Sequence, residues 1–298
     1  ADAFTDNGAK IARIFNISPL VIGLLVFGFG TSAPEMLVSG LAAYDGIPEM
    51  SIGNAFGSNI FNIGLVLGVT AIILPITVEK SVIKKEWLYL FLSTLIVGFL
   101  LLDGFLSFTD GLILLSLLLL FLINVFRESK KGSPIDTDIL EVNSQNHYKG
   151  RTWLLLIVSL IILVSSAKLV VWGGVSIAEF FEIDKLIIGL TVVALGTSLP
   201  ELAVSISSAL KKQHQMVIGN IIGSNLFNTL GVLAIPALIV PFTPELILKV
   251  PPEVMSRDFV YMLILTLLIV ILSMRLKISR FGGFILLTAL SIYLYQLF

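Results

Sequence analysis

Two glutamates stand inside apolar runs of membrane-spanning length. Glu35 lies in GFGTSAPEML (28–37) and Glu201 in ALGTSLPELA (194–203), and no basic residue sits close to Glu35 to compensate it. A carboxylate at mid-bilayer costs about 2.5–3.5 kcal/mol on insertion scales. Making that exception twice at matched positions argues against accident, and against a protonated pair packed only for stability. Each GTSxPE places two hydroxyls within a turn of the carboxylate: Thr31 and Ser32, then Thr197 and Ser198. Pro34 and Pro200 lack an N–H and leave carbonyls free upstream, while Gly30 and Gly196 let the backbone leave helical geometry. A freed carbonyl at membrane depth persists where water or a bound cation satisfies it. A second repeated motif, GNxxGSNxFN, contributes Ser58 and Asn62, then Ser224 and Asn228. Spacing of four puts serine and asparagine on one helix face. The motif glycines Gly53, Gly57, Gly219 and Gly223 are expected to serve close helix packing.

Every candidate ligand is therefore oxygen. Such a set suits hard cations, and Ca2+ takes six to eight oxygens. Two glutamates supply the charge that balances one Ca2+. Cysteine is absent, which excludes thiolate chemistry, and His147 and His214 fall in polar connecting stretches where solvation is expected. There is no nucleophile–base pair, phosphate loop or cofactor motif, so neither an enzyme nor a cofactor is expected. A net charge of −1 gives no reason to expect a nucleic-acid partner.

The elements that carry these residues read as membrane helices. The chain is 56% hydrophobic and 13% charged, with a mean hydropathy of +1.01. Its apolar runs approach the roughly twenty residues that a helix needs to cross a bilayer. Spans are expected at 18–44, 51–74, 87–104, 108–126, 152–174, 184–210, 216–240, 258–274 and 281–297. The lipid bilayer is the expected environment, and no obligatory protein partner is implied. An internal repeat organises the spans. With an offset of 166, IGLLVFGFGTSAPE (22–35) lies on IGLTVVALGTSLPE (188–201), and IGNAFGSNIFNIG (52–64) on IGNIIGSNLFNTL (218–230). Further on the offset becomes 172, placing KEW (85–87) on RDF (257–259). The fold class expected is an all-α polytopic membrane protein made of two repeats of five helices. Residues 1–127 form the first repeat, 128–150 a polar linker and 151–298 the second repeat. Because the second copy has the run RTWLLLIVSLIILVSS before Ala167 and nothing precedes Ala1, a leading helix of the first repeat is expected to be missing, with Ala1 near its cytoplasmic end.

Five helices per repeat is an odd number, so the copies face opposite ways. With ten helices counted, one face collects Lys10, Arg13, Lys80, Lys84, Lys85, Arg127, Lys130, Lys131, Lys149, Arg151, Lys211, Lys212, Arg275, Lys277 and Arg280. Those are fifteen of the nineteen basic residues, so that face reads as cytoplasmic. The linker is then cytoplasmic and the C-terminus extracytoplasmic. Corresponding loops also exchange sign: DGIPE after the first motif helix becomes KKQH after the second.

An inverted repeat, interrupted helices and a midplane site together describe a secondary transporter working by alternating access. A passive cation channel is the rival from another class, since carboxylates also line channels, but bent helices in an inverted repeat favour the transporter. GTSxPE paired with GSNxFN, once per half, resembles the sodium/calcium exchanger family of the cation/calcium antiporter superfamily, in its short-looped prokaryotic form. The resemblance covers essentially the whole chain. It implies Ca2+ exchanged for Na+ in a prokaryotic plasma membrane, with H+ or K+-dependent coupling as alternatives. It further implies a site of Thr31, Ser32, Glu35, Ser58, Asn62, Thr197, Ser198, Glu201, Ser224 and Asn228, completed by the carbonyls of Gly28 and Ala194. Several family members carry an aspartate in one copy where this chain has Asn62 and Asn228. Proton-coupled relatives carry a glutamate in the glycine–asparagine motif that this chain lacks.

The remaining charges and aromatics invite plainer readings. Lys168 sits where the first repeat has Asp2, and is expected either to snorkel or to pair with Asp2. Lys80–Glu86 and the acidic stretch Asp136–Glu141 read as solvated loops. Trp87, Trp153 and Trp172 read as interface anchors.

Overall fold

A computed structural model describes residues 1–45, 48–129, 149–181, 194–239 and 248–297. The linker core with Asp136–Glu141 and His147, the stretch 184–193 of the sixth expected span, and residue 240 of the seventh lie outside the described residues. Among the described residues ten helices carry the architecture: α1 (Asp2–Phe15), α2 (Pro19–Tyr44), α3 (Met50–Ile73), α4 (Lys80–Asp103), α5 (Phe108–Arg127), α6 (Lys149–Phe180), α7 (Leu199–Leu210), α8 (His214–Ile239), α9 (Val254–Ser273) and α10 (Arg280–Tyr295). A four-residue helix, Ala194–Thr197, precedes α7. Seven segments among the described residues are long and apolar enough to cross a membrane, and they coincide with expected spans. The chain is a multi-pass integral membrane protein of two inverted five-helix repeats.

The two motif-bearing helix pairs differ sharply from the rest in burial. The apolar window of α8 is 89% buried and that of α3 72%, whereas α6 is 17% buried. Long helices that are hydrophobic all round and covered by other helices form the core; those that stay exposed face lipid. α2 and α8 cross with their backbones in contact, because glycines remove the side chains between them. A Cβ on Gly219 would lie 2.5 Å from the Leu20 carbonyl oxygen, and one on Gly28 2.8 Å from the Gly223 carbonyl carbon. The packing role expected for Gly219 and Gly223 is therefore observed. Among the described residues nothing approaches Gly53 or Gly57 within 4 Å of a Cβ; the repeat images of Leu20 and Leu24 fall at 186 and 190, outside the described residues.

Short strand pairings join the repeats at their loops. Ile76–Thr77 pairs antiparallel with Lys277–Ile278, and Phe105 bridges to Lys249. The first pairing brings together two basic loops that charge counting had assigned to one face.

Three plain readings change. Lys80–Lys84 is the opening turn of α4 and buries Val82, and Glu86, just past a break at Lys85, is buried rather than solvated. Trp87 is half-buried: its indole N–H donates to the Thr266 carbonyl (2.7 Å) and its ring stacks on Phe91. It therefore ties α4 to α9, while Trp153 and Trp172 are exposed as anchors would be. His214 is half-buried at the start of α8, not in a solvated loop.

Candidate ion-binding site

Four helices converge on the motif residues. α2 supplies Gly28, Thr31, Ser32 and Glu35; α3 supplies Ser58 and Asn62; the segment opening at Ala194 and continuing into α7 supplies Thr197, Ser198 and Glu201; α8 supplies Ser224 and Asn228. Glu35 and Glu201 are each 1% exposed. Thr31, Ser32, Ser58, Asn62, Ser198, Ser224 and Asn228 are also buried, and Thr197 is half-buried. Ala194 opens the four-residue helix, so its carbonyl is placed at the edge of the described residues.

Local helix geometry explains how oxygens become available. Pro34 sits inside the helix from Gly28 to Tyr44, and Pro200 within the first turn of α7. Pro34 removes an N–H that the carbonyl one turn upstream would otherwise receive, whereas Pro200 stands where a helical N–H has no intrahelical acceptor. The helices carrying the second motif widen into π-turns at Asn62–Leu67 and Phe227–Val232. Asn62 and Asn228 therefore sit in segments whose hydrogen bonding is already displaced, a feature that recurs at functional sites. A third π-turn, Ile22–Phe27, precedes Gly28 directly.

Contacts across the α2–α8 crossing draw the two repeats into one site. The Thr31 hydroxyl donates to the Phe27 carbonyl (2.9 Å) and lies 3.2 Å from the Ser224 hydroxyl. Ser224 in turn points at the Gly28 carbonyl (3.5 Å). Thr31 also lies beside Glu201, and Glu201 is close enough to Glu35 for the two carboxylates to interact. Gly28 is what permits this approach, since any side chain there would strike the Gly223 backbone.

The polar atoms left over are the informative ones. Buried polar groups in folded proteins are almost always hydrogen-bonded, and leaving one unpaired costs about 1–3 kcal/mol. Both carboxylate oxygens of Glu35 and of Glu201, both amide atoms of Asn62 and of Asn228, and the hydroxyls of Ser32 and Ser198 have no hydrogen-bond partner among the described residues. They account for ten of the nineteen such atoms, a concentration that marks a place built for something other than protein. Among the described residues no three acidic or histidine side chains gather into a metal cluster. A cation here would be held by two carboxylates and a larger number of neutral oxygens.

Two further pairs of residues brace this arrangement, and motif reading had not assigned them a role. The Asn54 amide donates to the Glu35 carbonyl (3.2 Å) and to the Ser39 hydroxyl (2.9 Å). Its repeat image does the same: the Asn220 amide donates to the Glu201 carbonyl (3.3 Å) and to the Ser205 hydroxyl (3.0 Å). The Asn220 side-chain oxygen also lies 3.5 Å from the Thr31 hydroxyl. Each asparagine thus holds the backbone of a glutamate on the neighbouring helix. The signal was present in the 166-residue offset, which maps Asn54 on Asn220 and Ser39 on Ser205.

An inverted-repeat membrane fold with paired buried carboxylates on interrupted helices defines a cation transporter. Residues 1–127 and 151–298 match the family described as sodium/calcium exchanger protein. A solved structure of the sodium–calcium exchanger NCX_Mj superposes with a TM-score of 0.83 and 38% identity, covering 100% of this chain and 93% of that one. An Alkalimonas amylolytica protein, named 'putative antiporter CaxA', is 40% identical over 305 residues, 100% of this chain and 94% of its own. The sodium/calcium exchanger MaX1 of Methanosarcina acetivorans is 27% identical across 100% of this chain and 94% of its own length. The chain belongs to the sodium/calcium exchanger family, and Ca2+/cation antiport is its class of activity.

Proposed function

We propose that this protein exchanges one Ca2+ for Na+ across the membrane, alternately exposing one site built around Glu35 and Glu201. The observation that carries the reading is the pair of fully buried carboxylates, with no basic residue among their described hydrogen-bond or ion-pair partners, set among unpaired hydroxyl and amide oxygens. Ca2+ is ligated by Glu35 and Glu201 and completes its six to eight oxygens from among Thr31, Ser32, Ser58, Asn62, Thr197, Ser198, Ser224 and Asn228 and the carbonyls of Gly28 and Ala194. Hard divalent ions are satisfied by such a mixture. Na+ takes the same oxygens when Ca2+ leaves, so that occupancy by one ion excludes the other and couples their movements.

The face bearing the basic loops is cytoplasmic, with the linker 128–150 on it and the C-terminus on the opposite side. Residues 1–127 and 151–298 are the two repeats. The test is uptake of radiolabelled Ca2+ into sealed proteoliposomes under gradients of Na+, H+ or K+ imposed one at a time. Uptake driven by outward Na+ alone is expected. Uptake driven by an H+ gradient without Na+ overturns the choice of Na+, and Ca2+ leak without any counter-ion overturns antiport.

A further inference from the structure

We propose that two charge pairs of opposite polarity latch the two faces of this transporter in turn: Lys211 with Asp2 and Asp6 on one face, Asp45 with Lys168 on the other. The proposal rests on alternating access as the mode of transport, and goes beyond it to the residues that set the balance between states.

The offset of 166 that aligns the motifs also maps Asp2 on Lys168 and Asp45 on Lys211. The same pair is thus written twice with its signs exchanged, so that attraction is kept in both copies. One copy is formed. Lys211, at the end of α7, donates to the Asp6 carboxylate (2.8 Å), to the Thr5 hydroxyl (2.9 Å) and to the Asp2 carbonyl (2.9 Å), and lies 3.6 Å from the Asp2 carboxylate. Ser207, one turn earlier, donates to the same carboxylate (2.5 Å). Together these bind α1 to the last turn of α7.

The other copy is open. Lys168 on α6 and Asp45 at the end of α2 are both exposed, and neither has an ion-pair or hydrogen-bond partner among the described residues. The pairing of Asp2 with Lys168 raised by the sequence is therefore not what the structure makes; each residue belongs to a different latch. In an inverted repeat, the opposite-facing state is this state with the conformations of the two repeats exchanged. That exchange closes Asp45 on Lys168 and releases Lys211.

Exposed ion pairs are individually weak, which suits a latch that must open every cycle. The two latches are also unequal. Lys211 meets two carboxylates, but the image of Asp6 is Trp172, so Asp45 meets a single cation. The state with Lys211 engaged is favoured at rest, and it closes the face that carries the basic loops.

The chain contains no cysteine, so an introduced pair reports cleanly. In the D45C/K168C variant, the rate of oxidative cross-linking measures how often that face closes. Adding K211Q is expected to raise the rate about 1.5- to fivefold, the population shift equivalent to one exposed ion pair, while K211R leaves it near the starting value. Separately, K168D and D45K are each expected to slow Ca2+ exchange, and the double variant K168D/D45K to restore it. Cross-linking unaffected by K211Q, or a double variant as slow as the singles, overturns the latch while leaving alternating access standing. Simultaneous cross-linking of D2C/K211C and D45C/K168C within one molecule shows the two latches closed together and overturns their alternation, while alternating access, which passes through a state closed on both faces, still stands.

Discussion

A transport cycle with two carboxylates in its site should carry no net charge, and this is open to direct measurement. Glu35 and Glu201 are the acidic groups of the proposed site among the described residues, and the positions that complete the second motif are the neutral amides Asn62 and Asn228. One Ca2+ balances the two glutamates; so do two Na+. A third Na+ would leave a buried excess positive charge in a low-dielectric interior, where uncompensated charge is strongly disfavoured. Exchange of two Na+ for one Ca2+ is then electroneutral. The perturbation is a membrane potential imposed by a K+ diffusion gradient across sealed proteoliposomes. If one net charge moved per cycle, 100 mV would supply about 2.3 kcal/mol, or about a fiftyfold change in the equilibrium Ca2+ ratio. The wild-type protein should show essentially none of it. Asn228→Asp adds a carboxylate at a position 0% exposed, giving a third Na+ its counter-charge, and exchange by that variant should become voltage-sensitive. Wild-type exchange that already follows voltage as one charge per cycle would refute the charge count.

Glu35→Gln and Glu201→Gln each remove a charge and almost no volume, so Ca2+ flux should fall to background while size-exclusion profiles stay unchanged; retained flux in both would sink the site. Asn54→Ala and Asn220→Ala should each cost about 1–3 kcal/mol of packing and hydrogen bonding, seen as a lower Tm. They should also lower maximal exchange, with Asn→Asp variants failing to rescue because the lost contact is an N–H donor to a carbonyl. Gly219→Ala forces a Cβ to within 2.5 Å of the Leu20 carbonyl oxygen and 2.9 Å of the Gly23 Cα, and should destabilise by about 1–3 kcal/mol through overpacking; a thermal melt in detergent reads this. Trp87→Phe removes the 2.7 Å hydrogen bond to the Thr266 carbonyl and should lower stability by about 0.5–1.5 kcal/mol while leaving the ratio of Ca2+ to counter-ion unchanged.

Hydropathy alone located most of the membrane helices, because a helix's length against a bilayer and its apolar content are local properties of the chain. Self-comparison located the two repeats, and odd helix number with loop charge predicted that they are inverted. The glutamates could be singled out for an equally local reason: a carboxylate in hydrocarbon is costly wherever its neighbours end up. What surrounds those glutamates was decided elsewhere. Asn54 and Asn220 had no role assigned from the motif, and only the packing of neighbouring helices sets each against a glutamate's backbone. Gly219 and Gly223 had a general packing role, but only the crossing of α2 over α8 shows that their absent side chains bring Ser224 to the Gly28 carbonyl. Trp87 looked like an interface anchor until α9 supplied a carbonyl. Lys211 found Asp2 and Asp6 rather than leaving Asp2 to Lys168, across about 205 residues of chain. Periodicity reports how one helix meets its medium. Which residues meet across two repeats depends on helix crossing angles and side-chain shapes summed over the whole bundle, and those leave no mark within any single segment.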